Sequence, residues 1–175
     1  MARYSILLTD YAWADLEIER EILAAVDAEL VVAPQADETT LAELAASCHG
    51  ILTCWAQVTR AVIAAARQCR IVSRMGIGLD NIDLDAAAEH GMYVTNVPDY
   101  CQREVAEHTL ALLLALARNI AWYHLETKSG RYDLAGGPPL RRLAGQTLGI
   151  VGLGSIGREV AQLASGLGLN VLACR

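Results

Sequence analysis

The chain has no apolar run long enough to cross a membrane. The longest, Leu110 to Ala117, falls far short of the roughly 20 residues a spanning helix needs. It has no basic stripe. Fourteen Lys and Arg stand against twenty Asp and Glu, for a net charge of −6 and a pI near 5.1. That balance excludes the electrostatic footprint of a nucleic-acid binder. Its five cysteines, Cys48, Cys54, Cys69, Cys101 and Cys174, form no CxxC pair and match no zinc-module spacing. No metal site is expected. Cys48-His49 resembles a ligand pair, but nothing nearby completes one, and a buried cysteine behaves as a small hydrophobe. The N-terminus, Met-Ala-Arg-Tyr-Ser, runs straight into a strand pattern without a secretory h-region. With an odd cysteine count, this predicts reduced thiols and a cytoplasmic location. Charged residues are scarce at 19%, and apolar ones reach 54%, above the usual roughly 45–50%. Disorder is excluded. Such a surface expects company, from a second subunit or from further chain. No internal repeat and no low-complexity tract is present.

At 175 residues the prior is about one domain, or one and a fragment. Short apolar runs alternate with helical patterns. Strands are expected at Tyr4–Thr9, Leu30–Ala33, Gly50–Cys54, Arg70–Arg74 and Met92–Asn96. Between them, helices are expected over Asp15–Ala28, Leu41–Ser47, Thr59–Gln68 and Asp83–His90. The first helix has Leu16, Ile18, Ile22, Leu23 and Val26 as its inner residues. Thr39 or Thr40 caps the second, and Gly91 closes the fourth as its C′ residue. Strands apolar without clean alternation, separated by helices, argue for a parallel sheet covered on both faces. Residues 1–99 therefore read as one flavodoxin-like α/β unit.

A different element follows. From Arg103 to Lys128 there is no Gly or Pro, and the expected helix is apolar nearly all round. Such a helix belongs in a core or at a subunit interface. Ser129 to Arg142, with three of its residues Gly and two Pro, is a loop. Thr147–Val151 is a strand, Ile156–Leu167 a helix and Leu169–Cys174 a strand.

The strongest motif is Gly152-Leu153-Gly154-Ser155-Ile156-Gly157. A lone GxGxxG is weak. Here it follows an apolar strand and opens a helix, the context that dinucleotide binding requires. Gly152 permits the tight turn, Gly154 lets backbone approach a pyrophosphate, and Gly157 lets helix pack on strand. The helix N-terminus offers free N–H groups to the phosphates. The residue reading the adenosine ribose is expected at the end of the next strand. Arg175 stands there in place of an acid. An arginine suits the 2′-phosphate of NADP, so NADP is favoured over NAD. The second cluster is Arg74-Met75-Gly76-Ile77-Gly78-Leu79-Asp80-Asn81, at the carboxyl end of the fourth strand. Ligands of open α/β sheets sit there. Two glycines flanking one residue can form a concave nest of N–H groups for a carboxylate, and Arg74 adds a charge-assisted bond.

Together these segments resemble the D-isomer-specific 2-hydroxyacid dehydrogenases, the family that includes phosphoglycerate dehydrogenase. The likeness runs along essentially the whole chain. It is most specific in Ser73–Asp83, Val94–Ala117 and Leu143–Ala161. The stretch Asn96–Cys101 with Glu104-Val105-Ala106 resembles the subgroup related to C-terminal-binding-protein corepressors. The resemblance implies hydride transfer between NAD(P)H and a small 2-keto or 2-hydroxy acid. It implies that residues 1–99 are the N-terminal part of a substrate domain. Residues 100–175 are then the start of a Rossmann doubly wound nucleotide-binding domain, ending after its second strand, with the active site in the cleft between domains. It implies that the amides around Ile77 and Gly78 hold the substrate carboxylate, with Ile77 also near the nicotinamide. Ser155 and Ile156 would lie on the pyrophosphate, and the helix over 103–128 would pack in a homodimer. Two departures stand out. Thr53-Cys54 occupies the place where phosphoglycerate-specific members tend to carry a phosphate-binding arginine, which argues against 3-phosphoglycerate. Arg175 replaces the usual acid.

The family's catalytic arginine, glutamate and histidine lie well downstream of the glycine fingerprint, and these 175 residues stop 18 beyond Gly157. None of His49, His90, His108 and His124 is assigned catalysis. The expectation is that this stretch alone is inactive. Two alternatives are a dinucleotide-sensing, corepressor-like binding protein and a non-catalytic short product.

Overall fold

The computed structural model describes residues 2–174. They form two compact units, one up to Tyr100 and one from Cys101. In the first, β1 (Tyr4–Leu8), β2 (Ala28–Val32), β3 (Gly50–Thr53), β4 (Ile71–Arg74) and β5 (Tyr93–Thr95) make one parallel sheet. Its order is β2-β1-β3-β4-β5. Helices α1 (Glu17–Ala24), α2 (Glu38–Ala45), α3 (Arg60–Ala65) and α4 (Leu84–Glu89) make the crossovers. The α/β class is as expected.

The sheet packs unequally on its two faces. The larger core joins Leu7, Ile51 and Val72 of the strands to Leu41, Val62, Ile63 and Ala86 of α2, α3 and α4. On the other face only α1 contributes, setting Leu16 and Leu23 against Leu8, Leu30 and Leu52. Burying Leu16 stabilises by about 2 kcal/mol. The expected inner residues Ile18, Ile22 and Val26 lie outward instead, each more than 60% exposed. A helix advances about 100° per residue, so Ile18 stands about 200° around from Leu16. The sequence holds two apolar stripes, and only one reaches the sheet.

Side-chain caps fix the helix starts. Asp37 Oδ1 accepts from Thr40 N at 3.0 Å, so the cap of α2 is Asp37 and not Thr39 or Thr40. Asp83 Oδ1 accepts from Ala86 N at 2.8 Å. Both satisfy a first-turn N–H that has no intrahelical acceptor. Gly91, at φ +65°, ends the α4 turn in the left-handed conformation.

In the second unit, α5 (Gln102–Ala117) and α6 (Ile120–Lys128) replace the single helix expected over 103–128. The break is at Asn119, with φ 52° and ψ 35°. Asn tolerates this region better than most residues, and its Nδ2 is held by Pro138 O at 2.7 Å. Strands β6 (Thr147–Val151) and β7 (Asn170–Cys174) pair in parallel, joined by α7 (Ser155–Gly166). A small core of Ala106, Leu110, Val160, Ala164 and Leu169 binds α5 and α7 to one face of this pair. Arg103 reaches Glu107 and Glu159 at 2.9 and 3.1 Å, linking α5 to α7. The opposite face is bare, with Val151 at 92% exposure. Much of α5 is bare too, including Leu112 and Leu116, so it is not a core helix within these residues. Among the described residues no helix is long and apolar enough to cross a membrane.

Candidate active site

In the first unit the carboxyl ends of β1, β3, β4 and β5 converge on a short polar cluster. Asp10 follows β1. Its Oδ1 accepts from Cys54 N at 3.0 Å and Ala56 N at 3.2 Å, and its Oδ2 from Trp55 N at 2.8 Å. The Thr9 hydroxyl lies 2.7 Å from Oδ1. Burial pushes the Asp10 carboxyl up. The Cys54 N–H, the Thr9 hydroxyl and the Trp55 and Ala56 N–H groups outweigh it and hold the carboxyl below its usual value. The loop after β3 is thus wrapped around one carboxylate. It presents Trp55, 59% exposed, while Cys54 is buried. Burial and the Asp10 charge push the Cys54 thiol up. From below, buried Asn81 donates to Ala56 O at 2.9 Å, and the Thr53 hydroxyl donates to the same oxygen at 3.0 Å.

The glycine cluster after β4 is tied to the end of β5. Val97 N donates to Gly76 O at 3.0 Å, and Asn96 Nδ2 to Ile77 O at 2.7 Å. No backbone carbonyl of the described residues accepts from the N–H of Ile77 or Gly78. Neither Gly76 nor Gly78 has a positive φ. What the glycines supply is room. A Cβ on Gly76 would lie 1.5 Å from one Arg74 guanidinium nitrogen, and one on Gly78 2.7 Å from Asp80 Oδ1. The Arg74 side chain folds back over Gly76 with its Nε buried and unpartnered. The structure therefore sets the Arg74 guanidinium against Gly76, one residue before Ile77 and two before Gly78. Guanidinium and free backbone N–H groups are donors of the kind an anion takes.

In the second unit Gly152 turns the chain out of β6 at φ +96°. Its N–H donates to Cys174 O at 2.9 Å, which fastens the end of β7 beside the turn. A Cβ on Gly157 would sit 2.2 Å from Gly152 O, so α7 approaches the turn as only glycine allows. A Cβ on Gly154 would meet nothing within 4 Å. The space before it is open. The first bond of α7 runs from Arg158 N to Gly154 O, leaving the N–H groups of Ser155, Ile156 and Gly157 at its positive end without helical acceptors. These residues fit a dinucleotide pyrophosphate. Arg175 lies outside the described residues.

A family model described as "D-isomer specific 2-hydroxyacid dehydrogenase, catalytic domain" matches residues 6–165. The chain belongs to this family. A D-3-phosphoglycerate dehydrogenase of Methanocaldococcus jannaschii is 42% identical over 116 residues, covering 66% of this chain and 22% of the relative. A hydroxypyruvate reductase of Thermotoga maritima is 41% identical over 120 residues, 67% of this chain and 38% of that one. Among solved structures, the D-lactate dehydrogenase of Aquifex aeolicus, complexed with NAD and lactic acid, superposes with a TM-score of 0.82. It is 25% identical and covers 97% of this chain and 50% of that one. The 2-hydroxyacid dehydrogenase of Ketogulonicigenium vulgare reaches 0.77 at 30% identity, over 99% and 54%. The chain spans about a fifth to two fifths of those curated relatives and about half of those solved dehydrogenases.

Sequence reasoning missed Asp10, Asn81 and Asn96. Asp10 carried a usable signal: it is an acid at the carboxyl end of a central strand, where open α/β sheets place their chemistry. The two asparagines had none, because their partners are main-chain oxygens 25 and 19 residues away. His49 and His90 turn out to be tied to backbone. His49 Nδ1 accepts from Ser5 N at 3.1 Å, and His90 Nδ1 lies 2.9 Å from Ala86 O.

Proposed function

We propose that this chain carries the substrate-carboxylate site and the pyrophosphate site of a D-2-hydroxyacid dehydrogenase. The first unit is read as the N-terminal part of the substrate domain. The second is read as the start of the dinucleotide domain. The observation that carries the reading is the pair of donor sets left without internal acceptors, at Ile77–Gly78 with Arg74 and at Ser155–Gly157. Each follows a parallel strand. In this reading Arg74 and the amides of Ile77 and Gly78 hold the carboxylate of a small 2-keto or 2-hydroxy acid. Ile77 also borders the nicotinamide. Gly152, Gly154, Ser155, Ile156 and Gly157 hold the pyrophosphate, and Arg175 takes the 2′-phosphate of NADP in preference to NAD. The nicotinamide, when bound, supplies or accepts the hydride. Thr53 and Cys54 present no cation, which argues for a substrate without phosphate. None of His49, His90, His108 and His124 takes the general-acid role in this reading, and these 175 residues alone are read as inactive. A homodimer through 103–128, a cytoplasmic location and no nucleic-acid or membrane partner complete the reading.

The test is calorimetric titration with NADPH and NADH, beside assays on glyoxylate, pyruvate and hydroxypyruvate. Binding of NADPH above NADH, without turnover, is expected. Turnover by the 175 residues would overturn the reading that they are inactive alone. Failure of the folded chain to bind either dinucleotide would overturn the pyrophosphate site.

A further inference from the structure

The mechanism makes no use of two buried thiols at the opposite end of the first sheet. Cys48 precedes β3 and Cys69 precedes β4, at 1% and 4% exposure, and both belong to the same core cluster. The two strands pair in parallel from Gly50↔Ile71. The pairing continues backward, because Arg70 N donates to His49 O at 3.0 Å. One more step in that register sets Cys48 opposite Cys69. Neighbouring strands lie about 4.8 Å apart, and a disulfide accepts Cα separations of about 4.4–6.8 Å. Both side chains belong to the same buried core cluster, and the Cys69 thiol also donates to Ile71 O at 3.3 Å.

We propose that Cys48 and Cys69 are a redox site, closing to an intramolecular disulfide when the protein meets a peroxide. The S–H of Cys48 beside it holds the Cys69 thiol below its usual range, and Cys48 itself is pushed up. The step has Cys69 as the attacking thiolate. Its sulfur displaces hydroxide from the peroxide O–O bond, forming an S–O bond, and the hydroxide takes up the thiol proton as water. Cys48 sulfur then attacks the sulfenic sulfur. The S–S bond forms, the S–O bond breaks, and the second hydroxide leaves as water with the Cys48 proton. Two thiols are oxidised by two electrons and one peroxide is reduced to two waters. Ser47, Gln68 and Arg70, the sequence neighbours of the pair, are exposed. Small oxidants need only a local opening to reach it. The bond would tie together the segments that enter β3 and β4, closing a loop that contains β3, the Asp10-bound turn and α3.

The experiment treats the folded chain with hydrogen peroxide, alkylates the remaining thiols in denaturant, and maps peptides without reduction. The principal disulfide species should join the Cys48 and Cys69 peptides, with Cys54 alkylated. The melting temperature should rise and should return with dithiothreitol. Cys69→Ala should abolish both effects while Cys174 still alkylates. Alkylation of both Cys48 and Cys69 after native oxidation would overturn the proposal. So would Cys48 or Cys69 joined mainly to another cysteine. The map on the unsubstituted chain decides the matter even where Cys69→Ala does not fold.

Discussion

Asp10 shows how one side chain can set the shape of a loop. It accepts three consecutive backbone N–H groups, so Asp10→Ala leaves three donors to find water. Loss of these charge-assisted bonds should destabilise the chain by about 2 kcal/mol, read as a lower urea midpoint. The carboxyl is held below its usual value in the folded protein. Its contribution is therefore complete above the unfolded value and fades as pH falls through the folded one. The gap between the native chain and Asp10→Asn should be constant at neutral pH and shrink in acid. A gap that grows in acid would contradict the assignment.

The glycines of the fingerprint separate folding from binding at the same scale. Gly157→Ala forces a Cβ against Gly152 O, a backbone atom that cannot swing aside. The second unit should lose stability, seen as a lower melting transition. Gly154→Ala meets only open space and has φ −81°, which alanine accepts. It should leave the melting curve alone and weaken dinucleotide binding at least tenfold by calorimetry. Equal binding by Gly154→Ala and the native chain would remove the pyrophosphate from this turn.

At the scale of elements, the five strands of the first sheet were legible because each is a short apolar run bounded by turn residues. The facing of α1 was not. Ile18, Ile22 and Val26 repeat every four residues as well as any core stripe does, and only the sheet's position tells which stripe is covered. The break at Asn119 was half legible, since Asn is the residue after Gly most at ease there, yet no Gly or Pro marked it. Donors at Ile77 and Gly78 were legible in kind, while the clearance that Gly76 gives the folded-back Arg74 side chain was not. The two sheets also differ in what holds them. β1 and β3 are flanked on both edges and roofed by helices, whereas β6 and β7 are an isolated pair covered on one face, and two strands alone are marginal. Amide exchange should therefore be fastest in β6 and β7 and slowest in β1 and β3. Equal protection would show that the second unit is stabilised by more than its own core.

For the whole molecule the relevant quantity is exposed apolar surface. Leu112, Leu116, Ile120 and Leu125 are each more than half exposed on α5 and α6. The proposed homodimer would cover this apolar surface. Light scattering should give a mass that falls to that of one chain in Leu116→Glu, with no change in helix content by circular dichroism. A native chain that is already monomeric at all concentrations would dismiss the homodimer through this region.

The first sheet uses strands from one uninterrupted stretch of chain, all before Tyr100. On a ribosome, that arrangement has an order in time. β1 waits as an unpaired strand until β2 and then β3 emerge to flank it, and β5 closes the edge last. The whole ladder can be complete while Gly152 is still being translated, at about 5–20 residues per second. Nascent chains stalled near residue 140 should already resist protease over the first hundred residues, and those stalled near residue 60, with β4 still to come, should not.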